Sequence, residues 1–139
     1  MVDTARRDSG GVLLCPAPCY GLGRCPLGIR TERLDEDGVA RFEFVCPASY
    51  DEGSGIAHGG WAASVMIELV GHALILSGGF GYLGTVNIRY SKPVPVGVPL
   101  VGSARVEGSE RRKVFVGAEI SSPEDTLATA EAVLITAPI

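Results

Sequence analysis

Residues 58–72 read HGGWAASVMIELVGH, an apolar segment with three polar side chains spaced four residues apart. Ser64, Glu68 and His72 each turn about 40° from the previous one on an α-helix of 3.6 residues per turn, so they form a slowly winding stripe. The two glycines after the first histidine leave backbone N–H groups free at the positive end of the helix dipole. The pattern predicts a helix over residues 60–76 whose N-terminus can hold an oxyanion.

This helix is expected to lie in the core of one globular domain, because 139 residues are enough for a single core and too few for two. The longest apolar run, residues 61–76, is shorter than the roughly 20 residues that span a bilayer, and it carries Glu68 and His72 at its centre. We therefore expect no membrane partner. Residues 1–14 are predicted to be a flexible segment and residues 15–139 a single domain.

Composition limits the partners of the protein. Hydrophobic residues make up 46% and charged residues 20% of the chain, which predicts an apolar surface and a homo-oligomer. The net charge of -4 and the scattered Lys and Arg residues argue against a nucleic-acid partner. The first ten residues show no targeting segment, so a cytoplasmic location is expected.

Four cysteines raise the question of a zinc site. They are Cys15, Cys19, Cys25 and Cys46. Their spacings differ from the short knuckles of structural zinc sites, and no histidine lies near the first three. We interpret them as reduced cysteines in a packed N-terminal turn and predict no metal site.

The rest of the chain predicts β-strands. Residues 29–34 and 39–45 form an expected hairpin around the turn at residues 35–38. After the helix, alternating or β-branched runs occupy residues 83–91, 99–107, 113–121 and 127–136, and turn-forming residues occupy 94–97, 108–110 and 122–125. Short connections imply antiparallel neighbours. The predicted class is α+β, with an antiparallel sheet of five or six strands wrapped around one long central helix.

Three sequence blocks in this order resemble the hotdog-fold acyl-CoA thioesterases of the PaaI-like group. The blocks are residues 19–29 (CYGLGRCPLGI), the His-Gly-Gly helix start, and residues 87–97 (NIRYSKPVPVG). The resemblance covers about residues 15–137. It implies a hotdog fold, homodimers or homotetramers with active sites between subunits, an acyl-CoA or carrier-protein-bound acyl thioester as substrate, and no metal or bound cofactor.

The resemblance also implies thioester hydrolysis at the helix start. We expect the N–H of Gly60 to polarise the thioester carbonyl, and His58 is a further candidate for a catalytic residue. Glu68 is the expected general base or nucleophile. The family usually has its acid nine residues after the histidine, where this chain has Ile67, and it often has a polar residue on the facing strand, for which Thr85 is the nearest candidate.

Other side chains are expected at the substrate. Trp61 lines an acyl tunnel or packs against a partner subunit, and Ser64 and His72 contact substrate from the helical stripe. Phosphate recognition favours Arg forks and Lys point charges. The candidates for binding the phosphates of coenzyme A are Arg89, Lys92, Arg111, Arg112 and Lys113. Asn87 is a further expected substrate contact.

Each of these residues has a structural alternative. In these alternatives, Glu68 and His72 form a buried hydrogen-bonded pair, and Ser64 donates to the backbone carbonyl four residues earlier. His58 then only holds the loop in place, and the exposed charged side chains are only solvated. Two other functions use the same fold. One is a non-catalytic protein that binds acyl thioesters or small ligands, which Ile67 favours. The other is a lyase or cyclase of natural-product intermediates, with Glu68 and a histidine as acid and base.

Overall fold

The computed structural model describes residues 25–136 and the backbone of residues 6–7 and 13–14. These last residues form the short strands β1 (Arg6–Arg7) and β2 (Leu13–Leu14), both inside the segment predicted to be flexible. The predictions for Cys15 and Cys19 lie outside the described residues.

Within residues 25–136 the fold consists of six strands and one helix. They are β3 (Ile29–Leu34), β4 (Val39–Val45), α1 (Gly59–Leu76), β5 (Gly81–Tyr90), β6 (Pro99–Glu110), β7 (Lys113–Ser121) and β8 (Thr126–Thr136), with a 3-10 turn at Ala48–Tyr50. All neighbouring strands are antiparallel, in the order β1-β2-β3-β4-β6-β7-β8-β5. The predicted α+β architecture is confirmed.

One predicted turn is wrong. Residues 108–110 belong to β6, and the chain reverses instead after Glu110, at Arg111 and Arg112. Arg111 has a φ of 56°, in the left-handed region that non-glycine residues seldom adopt. A bulge between Val106 and Gly108 adds one residue to β6 and lets its pairing with β7 continue to the end of the hairpin.

A second bulge decides which side chains of β3 face the core. Ile29 pairs with Phe44 while Thr31 pairs with the adjacent Glu43, so Arg30 is an extra residue in the strand. Because a one-residue slip moves the following side chains to the opposite face, Glu32 joins Ile29 in the interior.

Helix α1 packs its apolar side chains against the inner face of the sheet. It is long and apolar enough to cross a bilayer, yet half of it is buried in the fold, as in the core helix of a globular protein. Gly102 on β6 permits this packing, since a Cβ there would lie 2.5 Å from the Leu69 side chain. The opposite side of α1, which includes Ser64, Ile67 and Glu68, is only partly buried.

Candidate functional site

The imidazole of His58 caps the start of α1. Its Nδ1 accepts a 2.9 Å hydrogen bond from the N–H of Gly60. The predicted role of Gly60 as the free oxyanion donor is therefore corrected, because this N–H is already satisfied by the cap. A Cβ at Gly60 would lie 2.9 Å from the imidazole, so glycine is needed for the cap to form.

The free donor at this helix start is Gly59. The N–H groups of Trp61 and Ala62 both donate to the carbonyl of His58, which leaves the Gly59 N–H without an acceptor among residues 25–136. Gly59 lines a cavity of about 360 Å³. The other lining residues are Ile56, Ala57, Ala62, Tyr90, Ser91, Lys92, Pro93 and Val94. This cavity is large enough for part of a small ligand.

Glu68 and His72 form the pair that the four-residue spacing predicted. His72 Nε2 lies 3.1 Å from Glu68 Oε2. The imidazole is 7% exposed and the carboxylate side chain 41%, so Glu68 is reachable from solvent while His72 is not. The hydroxyl of Ser64 donates to the Gly60 carbonyl at 2.9 Å, as its structural alternative predicted. Substrate contact by Ser64 and His72 stays a prediction.

Sequence reasoning missed a third member of this cluster, Glu32. Its carboxylate contacts the other imidazole nitrogen, Nδ1 of His72, and it is 2% exposed. The only signal in the sequence was a charged residue in a predicted strand, and ordinary alternation with Ile29 places it on the outer face. The bulge at Arg30 reverses that assignment.

The three groups strongly affect one another's ionisation. Burial alone lowers the pKa of His72, but hydrogen bonds to both carboxylates outweigh it and raise the pKa to about 9. The hydrogen bond from His72 lowers the pKa of Glu68. Burial raises the pKa of Glu32, and His72 opposes that rise. At neutral pH the cluster holds an imidazolium and an ionised Glu68.

Trp61 does not occupy either of its predicted positions in this subunit. Its side chain is 1% exposed, between the rings of Phe44 and Tyr50 at centroid distances of 6.1 and 6.4 Å. Its Nε1 donates a 2.9 Å hydrogen bond to the carbonyl of Leu27. The indole is thus part of the core of this subunit, because it is almost completely enclosed and its donor is used within the chain.

The predicted facing-strand residue, Thr85, lies on the side of the sheet away from α1. A bulge at Gly84 separates it from Leu83, so the inner face of β5 carries Leu83 and Val86 instead. Asn87 lies on the same outer face as Thr85. This correction has the same cause as the missed Glu32, namely one extra residue that changes the alternation.

The predicted phosphate-binding residues lie apart within one subunit. Arg89 and Asn87 line a groove of about 750 Å³ on the outer face of the sheet. Lys92 borders the Gly59 cavity and forms a 2.7 Å ion pair with Asp125. Arg111 and Arg112 lie beside the start of β5, since the carbonyl of Arg112 accepts from Thr136, which pairs with Gly81. Because β5 is ten residues long, Lys92 near its end and the two arginines near its start are about 30 Å apart.

No group of three or more His, Cys, Asp or Glu side chains within the described residues is arranged to hold a metal ion. Cys25 and Cys46 are buried and do not form a disulfide. Proton transfer at Glu68 and polarisation by backbone N–H are the chemistry that these residues can perform.

Comparison with known proteins supports this interpretation. The profile of the thioesterase superfamily matches residues 54–129. Acyl-coenzyme A thioesterase THEM4 of Xenopus laevis is 32% identical in an alignment 117 positions long that covers 73% of this chain and 52% of that protein. The chain therefore spans about half the length of this relative.

Solved structures share the fold. A phenylacetic acid degradation-related protein from Ralstonia eutropha JMP134 superposes with a TM-score of 0.71 at 23% identity, covering 88% of this chain and 92% of that one. A Streptococcus mutans UA159 protein bound to acetyl-CoA gives 0.69 at 19% identity, covering 76% and 86%. At these identities the likeness shows the fold alone, and it confirms the hotdog fold that the sequence resemblance implied.

Proposed function

Because this chain belongs to the thioesterase superfamily, we propose that it hydrolyses an acyl thioester of coenzyme A or of a carrier protein, with Glu68 as the general base. The observation that carries the proposal is the solvent-accessible carboxylate of Glu68, whose pKa is lowered by His72. It lies on the helix whose first N–H, that of Gly59, has no acceptor among the described residues. Ile67, at the family's usual acid position, has no ionisable group. The acid is therefore moved by one residue, about 100° around the helix.

The proposed reaction uses both groups. The Gly59 N–H donates to the thioester oxygen and stabilises the oxyanion that forms when water attacks the carbonyl carbon. Glu68 accepts the proton that this water loses. The tetrahedral intermediate then breaks its carbon–sulfur bond, the leaving thiolate receives the proton from Glu68, and a carboxylic acid remains. No step requires a metal or a bound cofactor.

These two groups cannot act on one carbonyl from the same helix. Gly59 and Glu68 are nine residues apart, and a rise of 1.5 Å per residue separates them by about 13 Å along the helix axis. A working site therefore combines Glu68 of one subunit with Gly59 of another. We accordingly propose a homodimer with two equivalent sites between the subunits.

The edge strand β5 is the proposed dimer contact. It ends the described sheet, pairs only with β8 within the described residues, and exposes Phe80 beside it and Tyr82 within it by 60% and 61%. Antiparallel pairing of two β5 edges places the start of one strand next to the end of the other. Arg111 and Arg112 then approach the partner's Gly59 cavity, where phosphates of coenzyme A are expected to bind.

Release of free thiol from a panel of acyl-CoA and acyl-carrier-protein substrates tests the proposal. Glu68→Gln is expected to lower kcat on the order of 10²-fold or more, because the base is lost while the shape is kept. Glu124→Gln makes the same change at an exposed turn and should leave kcat unaltered. Full activity of Glu68→Gln contradicts the proposal. Binding of coenzyme A without turnover of any substrate favours the non-catalytic alternative, and can be read as a rise in Tm.

The donor is tested by Gly59→Pro, which removes the N–H and adds the proline ring. Proline suits the first position of a helix, and the extended His58 (ψ 133°) before it is compatible with proline. A Cβ at this position meets nothing closer than the Tyr90 hydroxyl at 3.9 Å, so Gly59→Ala is a control that keeps the N–H. We expect the proline variant to lose activity and the alanine variant to retain it.

Mixed dimers test the two-subunit site. Gly59→Pro and Glu68→Gln chains, each inactive alone, form a heterodimer in which one site is intact and the other carries both defects. Refolding the two chains together at equal concentration is expected to restore about a quarter of wild-type activity, since about half of the dimers are mixed and each has one of two sites. No recovery in folded mixed dimers contradicts the interface site.

A further inference from the structure

A buried ionic cluster of Glu32, His72 and Glu68 connects the sheet to the accessible side of α1. His72 Nδ1 contacts the carboxylate of Glu32 on β3, and Nε2 lies 3.1 Å from Glu68 on the helix itself. The imidazole uses both nitrogens, so its ring plane and its distance from each carboxylate are fixed. The other ion pairs among the described residues, Arg41–Asp35 and Lys92–Asp125, are partly exposed.

Such a cluster is costly as a purely structural device. Taking a carboxylate and an imidazolium out of water is unfavourable, and apolar side chains of similar size often stabilise a core as well or better. The chain nevertheless places Glu32 in the interior, by means of a bulge, next to the single buried imidazole of the described core. The cluster has one accessible end, and that end is the carboxylate of Glu68.

We propose that Glu32 and His72 are positioning residues for thioester hydrolysis: Glu32 holds the imidazolium of His72, and His72 holds Oε2 of Glu68 so that Oε1 faces the attacking water. The inference rests on the proposed function. In this arrangement Glu32 and His72 orient the carboxylate of Glu68, which lies one residue away from the usual position of the family's acid.

The charges around His72 define what the cluster does. From β3 the imidazole faces Glu32, from its own helix it faces Glu68, and from β4 it faces the ring of Phe42, 6.4 Å away. The thiol of Cys25 adds a smaller electrostatic effect on Glu32. Burial raises the pKa of Glu32, whereas the hydrogen bond from His72 lowers the pKa of Glu68, so Glu68 is the carboxylate that the cluster favours in its ionised form.

The proposal predicts a specific alkaline limit. His72, with a pKa of about 9, is protonated through the neutral range. Above that pH the neutral imidazole keeps one proton. This proton stays on Nδ1, because the buried Glu32 has no water to donate to it, whereas Glu68 is solvated. Nε2 then turns a lone pair toward Glu68 and no longer holds it, so kcat of the wild type should fall as the pH rises through about 9.

Glu32→Gln tests the remote end of the cluster. The amide keeps the shape but removes the charge that stabilises the imidazolium, so the alkaline limb of the kcat profile should move to lower pH, with kcat at neutral pH reduced about tenfold and KM little changed. Glu43→Gln makes the same change on the adjacent strand, at an exposed side chain, and should leave the profile unaltered. A variant that loses stability but keeps the wild-type pH profile overturns the inference.

A second measurement covers the case in which Glu32→Gln does not fold. NMR titration of the His72 ring in the wild type and in Glu68→Gln, a change at a partly exposed side chain, should show a high pKa that falls when the Glu68 charge is removed. An imidazole that titrates near 6.5 in both, or a wild-type kcat that stays level to pH 10, overturns the inference. Absence of hydrolysis in the wild type instead overturns the proposed function, whatever the titration shows.

Discussion

The hydroxyl of Tyr90 lies 2.7 Å from the carbonyl oxygen of Gly59, to which it donates a hydrogen bond. The last residue of the edge strand β5 is thereby attached to the first residue of α1. Both residues line the same cavity of about 360 Å³. The peptide that carries the proposed oxyanion donor is therefore positioned by the strand at which we expect a second subunit to pair.

Tyr90→Phe is expected to loosen this attachment. The ring remains, but the loss of one hydrogen bond should lower the free energy of unfolding by roughly 1 kcal/mol and reduce kcat/KM, because the Gly59 N–H is held less firmly. Thr126→Val removes an exposed hydroxyl at the start of β8, outside the proposed dimer contact, and serves as the control. Equal effects of the two variants in steady-state kinetics and urea unfolding would contradict this role of Tyr90.

Gly60→Ala is expected to disrupt the histidine cap. Its Cβ would lie 2.9 Å from the ring of His58, which must move and give up its bond to the Gly60 N–H, and loss of an N-cap costs about 1 kcal/mol. Gly71→Ala in the middle of the same helix meets nothing within 4 Å and should stabilise the chain by roughly 0.5–1 kcal/mol. Thermal unfolding that ranks these two variants in the opposite order would show that the cap contributes no stability.

Secondary structure was predictable wherever local signals were strong. The bounds of β3, β4 and β7 agree with the sequence prediction, because alternating side chains are enclosed by turn-forming residues. The helix was predictable for the same reason, from its uninterrupted apolar run and the glycines at each end. The pairing of Glu68 with His72 followed from the helical repeat alone.

The parts of the site that escaped prediction depend on bulges. Arg30 has no local feature that marks it as the extra residue of β3, because the bulge is defined by the register of β3 against β4. Without it, Glu32 would face solvent. The bulge at Gly84 has the opposite consequence for Thr85, which alternation placed toward the helix and the structure places on the outer face. A single sequence does not encode such slips in its pattern of hydrophobic residues.

Asp51→Ala is expected to disorder the loop that leads to His58. Asp51 Oδ1 accepts hydrogen bonds from the N–H groups of Gly53, Ser54 and Gly55 at 2.7, 3.1 and 2.9 Å, and these bonds lower the pKa of the carboxyl. We expect a lower Tm and a lower kcat at pH 7, because the loop that positions the capping residue His58 is then no longer held by these hydrogen bonds.

The pH dependence provides the check on Asp51. An acid whose pKa is lowered by folding contributes stability above its ordinary pKa of 3.8, and the contribution disappears as the pH falls through the lower, folded value. The Tm difference between wild type and Asp51→Ala should therefore shrink toward acid pH. Glu52→Ala removes the neighbouring exposed carboxylate and should show no such difference. A gap in Tm that is constant down to pH 2.5 would contradict the assignment.

Alkaline unfolding should occur in two stages with different causes. Folding raises the pKa of His72 from 6.5 to about 9, so the folded state binds more protons in that range and the free energy of unfolding falls as the pH rises through it. Burial raises the pKa of the Cys46 thiol from 9.0 to about 11, which produces a second fall between those values. The free energy of unfolding of Cys46→Ala should be lower than that of the wild type at neutral pH and should change with pH in parallel with it up to pH 9. Above pH 9 the variant should lack the second fall. Denaturant titrations from pH 6 to pH 11 measure both stages, and curves that remain parallel to the end would show that the Cys46 thiol does not titrate differently in the folded state.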